Sequence, residues 1–210
     1  MMQGLILAGG DGSRLAADGV ETPKALVEIA GRPQVLNLIQ TLEELGCESI
    51  TCMIRDGVRV DAPRSAVVRS MVDTVMPAAD WRRVYAEVTD KLQQGSFAVL
   101  AVTPFVDDEF PVYVWRDAQG RVTDIADRPS NGAASAVVTG GVYGLSPGAR
   151  RLATVAVSSA SRMRAFLKLL VEVRAPVATV EVPKIIDLDH KRDLDAAETW
   201  LGTKVSEGAR

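Results

Sequence analysis

Cysteine and histidine are scarce in this chain. Cys47 and Cys52 are its only cysteines, and His190 is its only histidine among 210 residues. Two thiols, both near or within an apolar segment, do not make a disulfide framework, so a reducing cytoplasm is the expected compartment. A lone imidazole leaves little room for a zinc site or a Ser-His-Asp triad. No apolar run approaches the ~20 residues that a membrane span needs. The N-terminal apolar stretch leads straight into glycines and lacks the basic flank and cleavage site of a signal peptide. A net charge of −3 argues against broad binding to nucleic acid or acidic membranes. Any positive charge used for function must therefore be local.

What the chain does have is an ordinary globular composition, 47% hydrophobic and 24% charged, with no internal repeat or low-complexity linker. This predicts one domain over residues 1–202 and a frayed tail over 203–210. Strands are predicted at Leu5–Ala8, Ser49–Ile54, Ala66–Val72, Phe97–Val102 and Val177–Val182, all short and rich in β-branched residues. Helical spacing marks Pro33–Leu45, Ala78–Leu92 and Ser161–Val173. The alternation predicts an α/β fold, a three-layer α/β/α sandwich around a mostly parallel, mixed sheet. Between Val112 and Leu145 the pattern changes. Val112-Tyr113-Val114-Trp115, the turn Asp117-Ala118-Gln119-Gly120 and Arg121–Ile125 read as a β-hairpin. After a polar loop from Pro129 to Ala134, Val137–Leu145 reads as a strand whose glycines let a ligand come close. This is the small antiparallel elaboration on the sheet.

The chemistry-bearing residues begin almost at the first residue. A short strand runs into Leu7-Ala8-Gly9-Gly10-Asp11-Gly12-Ser13-Arg14-Leu15, and Pro23-Lys24-Ala25-Leu26 follows. Glycines let backbone N–H groups close on anionic oxygens. The arginine adds a planar fork of donors and the lysine a compact point charge. A dinucleotide-binding fingerprint fits poorly. Gly10 and Gly12 serve as its first two glycines, but Leu15 stands where the third belongs, and a polar loop is expected in place of a helix.

Together with Gly31-Arg32-Pro33, these segments resemble the opening signature of the sugar-phosphate nucleotidyltransferases. Those enzymes join a nucleoside triphosphate to a sugar 1-phosphate or related phosphate and release pyrophosphate. The resemblance implies that Leu7, Ala8, Gly9, Gly10, Gly12 and Ser13 hold the nucleotide. Arg14 would grip the departing β- and γ-phosphates, and Lys24 would stabilise charge on the α-phosphate. It also implies Mg2+, held by Asp73 at the end of the third strand and by Asp187 and Asp189 in Lys184-Ile185-Ile186-Asp187-Leu188-Asp189-His190. Read from the residues alone, Asp73 could equally be a turn or helix-cap residue, and Asp189 could cap the helix predicted over Lys191–Leu201.

Gly120–Pro129 is similar to the family's Gly-x-Val-x-x-x-x-Glu-Lys-Pro segment, with Asp127-Arg128 in place of Glu-Lys. Val138-Thr139-Gly140-Gly141-Val142-Tyr143 is similar to its Asn-x-Gly-x-Tyr segment. By this resemblance Arg128, Thr139, Gly140 and Gly141 line the acceptor side. One departure stands out. Only Arg55–Ser65 separates Ile54 from the strand leading to Asp73, and the family's long connection with its base-contacting Gly-Thr/Ser-Ala step has no counterpart. Transfer to a phosphorylated alcohol or a molybdopterin-type acceptor, and a nucleotide-binding regulatory protein without turnover, are therefore the competing functions. The partners are in every case small molecules.

Overall fold

The computed structural model describes residues 2–10, 12–53, 66–128, 137–156 and 162–207, with side chains as far as Gly202. Asp11, the Arg55–Ser65 connection, the Pro129–Ala134 loop and Ser161 lie outside the described residues. The chain opens with β1 (Met2–Leu7), α1 (Ser13–Ala17), a 3-10 turn at Lys24–Leu26, and the short β2 (Glu28–Ile29) and β3 (Arg32–Pro33). Then come α2 (Gln34–Glu44), β4 (Ile50–Met53), β5 (Ala66–Met71), β6 (Thr74–Val75), α3 (Ala78–Gln93) and β7 (Ala98–Thr103). The hairpin β8 (Tyr113–Arg116) and β9 (Val122–Ala126) precedes β10 (Val137–Leu145) and α4 (Pro147–Val155). The chain continues with α5 (Met163–Glu172), β11 (Val177–Glu181), β12 (Ile186–Asp187) and α6 (Lys191–Glu207).

The main sheet has the order β11-β7-β10-β5-β1-β4, with β8 and β9 branching from β10. β4 and β5 flank β1 in parallel, and β11 lies parallel to β7. β10 runs against β5, β7 and β8. The fold is thus the expected three-layer sandwich around a mixed, mostly parallel sheet. Side-chain alternation along the strands sorts the core into two faces. Ile6, Val68, Val99 and Val180 meet α2 (Leu38, Leu42) and α3 (Trp81, Val84, Val88). Leu5, Val67, Leu100 and Val177 meet α4 (Ala149) and α5 (Phe166, Leu167, Leu170). Burying each of these large side chains contributes about 1.5–3 kcal/mol. A smaller cluster of Ile29, Val75, Ile186, Leu188 and Ala197 seats α6 against the sheet's carboxyl end.

Three elements differ from the sequence expectation. Ser13–Ala17 is a short helix and not a polar loop, anchored by Leu15, which is 1% exposed. Five residues carry a single buried apolar side chain, too few to show a period. Helix α4 was unpredicted, because Gly148 interrupts a sparse apolar pattern. Ser146 caps it by accepting from the Ala149 N–H, with Pro147 in its first turn. Helix α6 continues past Leu201 to Glu207.

Candidate active site

The glycine-rich bend follows β1 at the carboxyl end of the parallel strands, where ligands of such sheets collect. Two backbone groups at its start are already used by the sheet. Leu7 O accepts from Val72 N (3.0 Å), and Ala8 N donates to Met53 O (2.8 Å). Gly9 and Gly10 are exposed, with open space where a Cβ would stand. Gly12 adopts φ 63°, a left-handed conformation that brings the chain against Lys24 and starts α1. Gly10, Gly12, Ser13, Arg14, Lys24 and Asp189 line a cavity of about 200 Å³ together with Leu15. Leu7 and Ala8 do not line it.

The late acidic segment reaches this bend through a small piece of sheet. β12 pairs antiparallel with β6, placing Asp187 opposite Thr74. Leu188 N donates to Asp73 O (3.1 Å), locking the two segments side by side. Ile186 and Leu188 point into the α6 core, so Asp187 and Asp189 alternate to the open side. Carboxylate oxygens of Asp73, Asp187 and Asp189 consequently lie within 4.8 Å of one another. Neither capping alternative holds. Pro77 is the N-cap residue of α3, which frees Asp73 from that role. At the start of α6 the Lys191 N–H donates to Asp18 Oδ2 (3.1 Å), and Asp193 within the first turn reaches back to accept from the N–H groups of Asp189 (3.0 Å) and His190 (2.7 Å).

Lys24 and Arg14 close the cluster electrostatically. Lys24 Nζ contacts Asp73 Oδ2 and Asp189 Oδ1, each at 2.7 Å, and Arg14 Nη1 pairs with Asp189 Oδ2. Burial alone would lower the Lys24 pKa. The charges of Asp73 and Asp187 and its hydrogen bonds to Asp189 and Asp73 outweigh that and raise it. Lys24 is therefore a fixed cation. Asp187 makes no ion pair among the described residues. Its surface is open to a water molecule, yet protein crowds it on the other sides. That crowding first, and then the Asp73 charge, raise its carboxyl well above the ordinary range, against the pull of Lys24. Burial, with smaller contributions from Asp187 and Asp73, pushes the neighbouring Tyr143 phenol up to about 12.

The residues expected on the acceptor side do not all lie together. Thr139 and Gly140 line a narrow cavity of about 40 Å³ with Thr103, Phe105, Ile185 and Asp187 among its other walls. The glycines of β10 are packed closely against protein, however. A Cβ on Gly140 would run into the Ile185 side chain, and one on Gly141 into Thr74 Oγ1 and Met71. The space they leave is filled by the protein itself. Gly141 and Arg128 line neither cavity, and Arg128 is exposed at the end of β9. Its neighbour Asp127 pairs with Arg164 (2.8 Å) and Lys168 (2.5 Å) of α5.

Sequence reasoning missed the loop between β7 and β8. The Phe110 ring lies 5.2 Å from the Arg14 guanidinium carbon, a cation–π contact beside the cavity that Arg14 lines. Glu109 and Asp18 grip His190 from two sides, at 3.2 Å and 2.9 Å. The hydrogen bond that His190 Nδ1 donates to the Asp18 carboxylate raises the His190 pKa, and that carboxylate also accepts from Lys191 N. These contacts join α1, this loop and α6 around the acidic cluster. Only the exposed aromatic within Asp107-Asp108-Glu109-Phe110 hinted at this in the sequence.

Residues 4–176 match the MobA-like NTP transferase domain. A mannose-1-phosphate guanyltransferase from Pichia angusta is 43% identical over 53 residues, 25% of this chain and 15% of that protein. Mannose-1-phosphate guanyltransferase 2 from Candida glabrata is 44% identical over 62 residues, 29% of this chain and 17% of its own length. The chain thus spans only a small part of these curated relatives. Among solved structures, a candidate glucose-1-phosphate thymidylyltransferase from Bacillus anthracis superposes with a TM-score of 0.75 at 17% identity, covering 96% of this chain and 95% of the other. The inositol-1-phosphate CTP transferase from T. maritima gives 0.73 at 16% identity, covering 100% and 98%. At such identities the likeness is one of fold.

Proposed function

Because the chain belongs to the MobA-like NTP transferase domain family, we propose that it transfers a nucleotidyl group from a nucleoside triphosphate to a sugar 1-phosphate and releases pyrophosphate. One observation carries this reading. Arg14, Lys24, Asp73, Asp187 and Asp189, remote in sequence, converge beside the glycine bend. The activities of the guanyltransferase, thymidylyltransferase and CTP transferase relatives point the same way.

In the reaction, an oxygen of the acceptor phosphate forms a bond to the α-phosphorus. The bond from that phosphorus to the oxygen bridging the β-phosphate breaks, and its electron pair leaves with pyrophosphate. No side-chain nucleophile is needed. The chain's part is alignment and charge stabilisation. Arg14 holds the departing phosphates from the cavity wall, and Lys24, kept protonated, faces the α-phosphate. Gly9 and Gly10 offer the open backbone against which the nucleoside rests. Three carboxylates within 4.8 Å, one of them without a cation partner among the described residues, suit a hard oxygen-loving ion. Asp73, Asp187 and Asp189 would hold Mg2+, which supplies charge neutralisation for the triphosphate. The free cysteines suit a cytoplasmic setting, and no helix among the described residues is long and apolar enough to cross a membrane.

The test is pyrophosphate release by the full chain with each NTP against a panel of sugar 1-phosphates in Mg2+. One NTP–acceptor pair should turn over, and Arg14→Ala should slow it by about 10²-fold with an unchanged circular dichroism spectrum. Near-normal release by Arg14→Ala would overturn the assignment. A second reading is favoured by the sheet edge, where β4 lies directly outside β1 and residues 54–65 are all that connect it to β5. A regulatory protein could keep the phosphate grip and dispense with the base site. Tight NTP binding without pyrophosphate release, even with phosphorylated alcohols or molybdopterin-type acceptors, would select that reading.

A further inference from the structure

The turn that delivers Asp189 to the acidic cluster is held by a further acid, Asp193, in the first turn of α6. Asp193 is only 6% exposed, and it lines the same narrow cavity as Asp187. A carboxylate buried there is unfavourable unless its oxygens are well used. One of them is used twice. Oδ2 accepts from Asp189 N at 3.0 Å and from His190 N at 2.7 Å, and Oδ1 lies 3.5 Å from Arg192 Nε. The first N–H of α6, on Lys191, is served from α1 by Asp18 Oδ2. Asp193 therefore reaches past the helix, to the two residues before it. The two N–H groups it holds sit on either side of the Asp189 Cα. Pinned to one oxygen, they fix both backbone torsions of Asp189, and with them the direction in which its side chain leaves the chain. That direction leads to Lys24 Nζ, 2.7 Å away, to Arg14, and to the carboxylates of Asp73 and Asp187.

We propose that Asp193 is a positioning residue of the acidic site. Its carboxylate holds Asp189 at the angle at which Asp73, Asp187 and Asp189 can share one divalent cation, and it does so through the backbone, without touching that cation. The inference rests on the reading of Asp189 as a metal ligand. An Asp189 released from this grip would have to be ordered each time the ion binds, and that cost appears as lost affinity. Groups that orient a metal ligand from behind typically matter by about 10–100-fold. The grip needs an oxygen more than a charge, because both hydrogen bonds end on Oδ2. Asparagine can keep both with its amide oxygen. Its amide nitrogen then faces Arg192, whose exposed side chain can turn away. Alanine keeps neither bond.

The test is Mn2+ binding by the full chain, followed through the electron paramagnetic resonance signal of the free ion, with Mn2+ standing in for Mg2+ at an oxygen site. The wild type should bind, and Asp189→Asn should bind more weakly, which checks the ligand itself. Asp193→Ala should weaken binding by about 10-fold or more. Asp193→Leu fills the same space without an acceptor and should lose as much, which keeps the test decisive if the smaller side chain unsettles the fold. Asp193→Asn should bind as the wild type does. Ala196→Gly, on the exposed face of α6, loosens the helix while leaving both hydrogen bonds in place, and it should bind normally. Wild-type affinity in folded Asp193→Ala or Asp193→Leu, or an equal loss in Asp193→Asn or Ala196→Gly, overturns the proposal and leaves Asp189 a ligand. No Mn2+ binding by the wild type, or an unaffected Asp189→Asn, overturns the metal reading and this inference with it.

Discussion

The two ends of the cleft are built on opposite plans. At the proposed phosphate end, side chains from three remote segments meet through charge, with Lys24 shared between Asp73 and Asp189 and Arg14 leaning on Asp189 and the Phe110 ring. At the end expected to take the acceptor, shape rules, and the Cβ positions of Gly140 and Gly141 are stopped by Ile185 and Thr74. The charged end follows from which residue types occur at which spacing. The packed end depends on what each backbone segment happens to face.

The largest expected effect falls on the charged end. Asp73→Ala removes a carboxylate and strips Lys24 of one partner, so pyrophosphate release should drop by about 10³-fold while the circular dichroism spectrum stays native. Retained turnover would show that charge is not what organises this end. Next comes the response to Mg2+ and pH. The Asp187 carboxyl is raised by burial first and by the Asp73 charge second. A raised acid stabilises the fold below the ordinary carboxylate pKa and loses that contribution as pH climbs through the raised value. Magnesium needs the ionised form. The Tm gain from added Mg2+, about 2–4 °C at its fullest, should therefore grow as pH rises through that window. A gain that is flat or falls with pH would contradict the placement of Asp187.

At the packed end the readout should be stability. Gly140→Ala forces a methyl group against Ile185 and should cost about 1–3 kcal/mol in urea unfolding, with turnover per folded molecule nearly unchanged. The reverse outcome, normal stability with lost turnover, would restore the glycine to a ligand-binding role. The smallest effect belongs to Arg128→Ala, which should change turnover by no more than about twofold, since the side chain is exposed and lines neither cavity. A large drop would bring Arg128 back to the acceptor.

The layers and most strands were legible because apolar, β-branched runs such as Ala98–Thr103 and Val177–Glu181 alternate with helices of clear period, as in α2 and α3. The acidic cluster was legible as well, since its residues sit in motifs with fixed order. What escaped was whatever depends on facing surfaces. The sequence of β10 shows glycines but not the side chains that fill them. Arg128 follows a recognisable segment, yet β9 ends so that it turns outward. The apolar run Ala66–Val72 reads as a strand with or without Arg69, and nothing local tells that the Nε of this residue is buried with no hydrogen-bond partner among the described residues. Helix α1 is too brief to announce itself, and nothing in the sequence marks Asp193 as the acid whose carboxylate holds the N–H groups of Asp189 and His190 just before α6.

The two-residue pairing of β12 with β6 has a further consequence for how the molecule is made. Every strand of the main sheet precedes Ile186 in the chain, so a ribosome can release the whole sheet while the acidic trio is still incomplete. The three carboxylates come together only once Ile186–Asp189 has folded back beside β6.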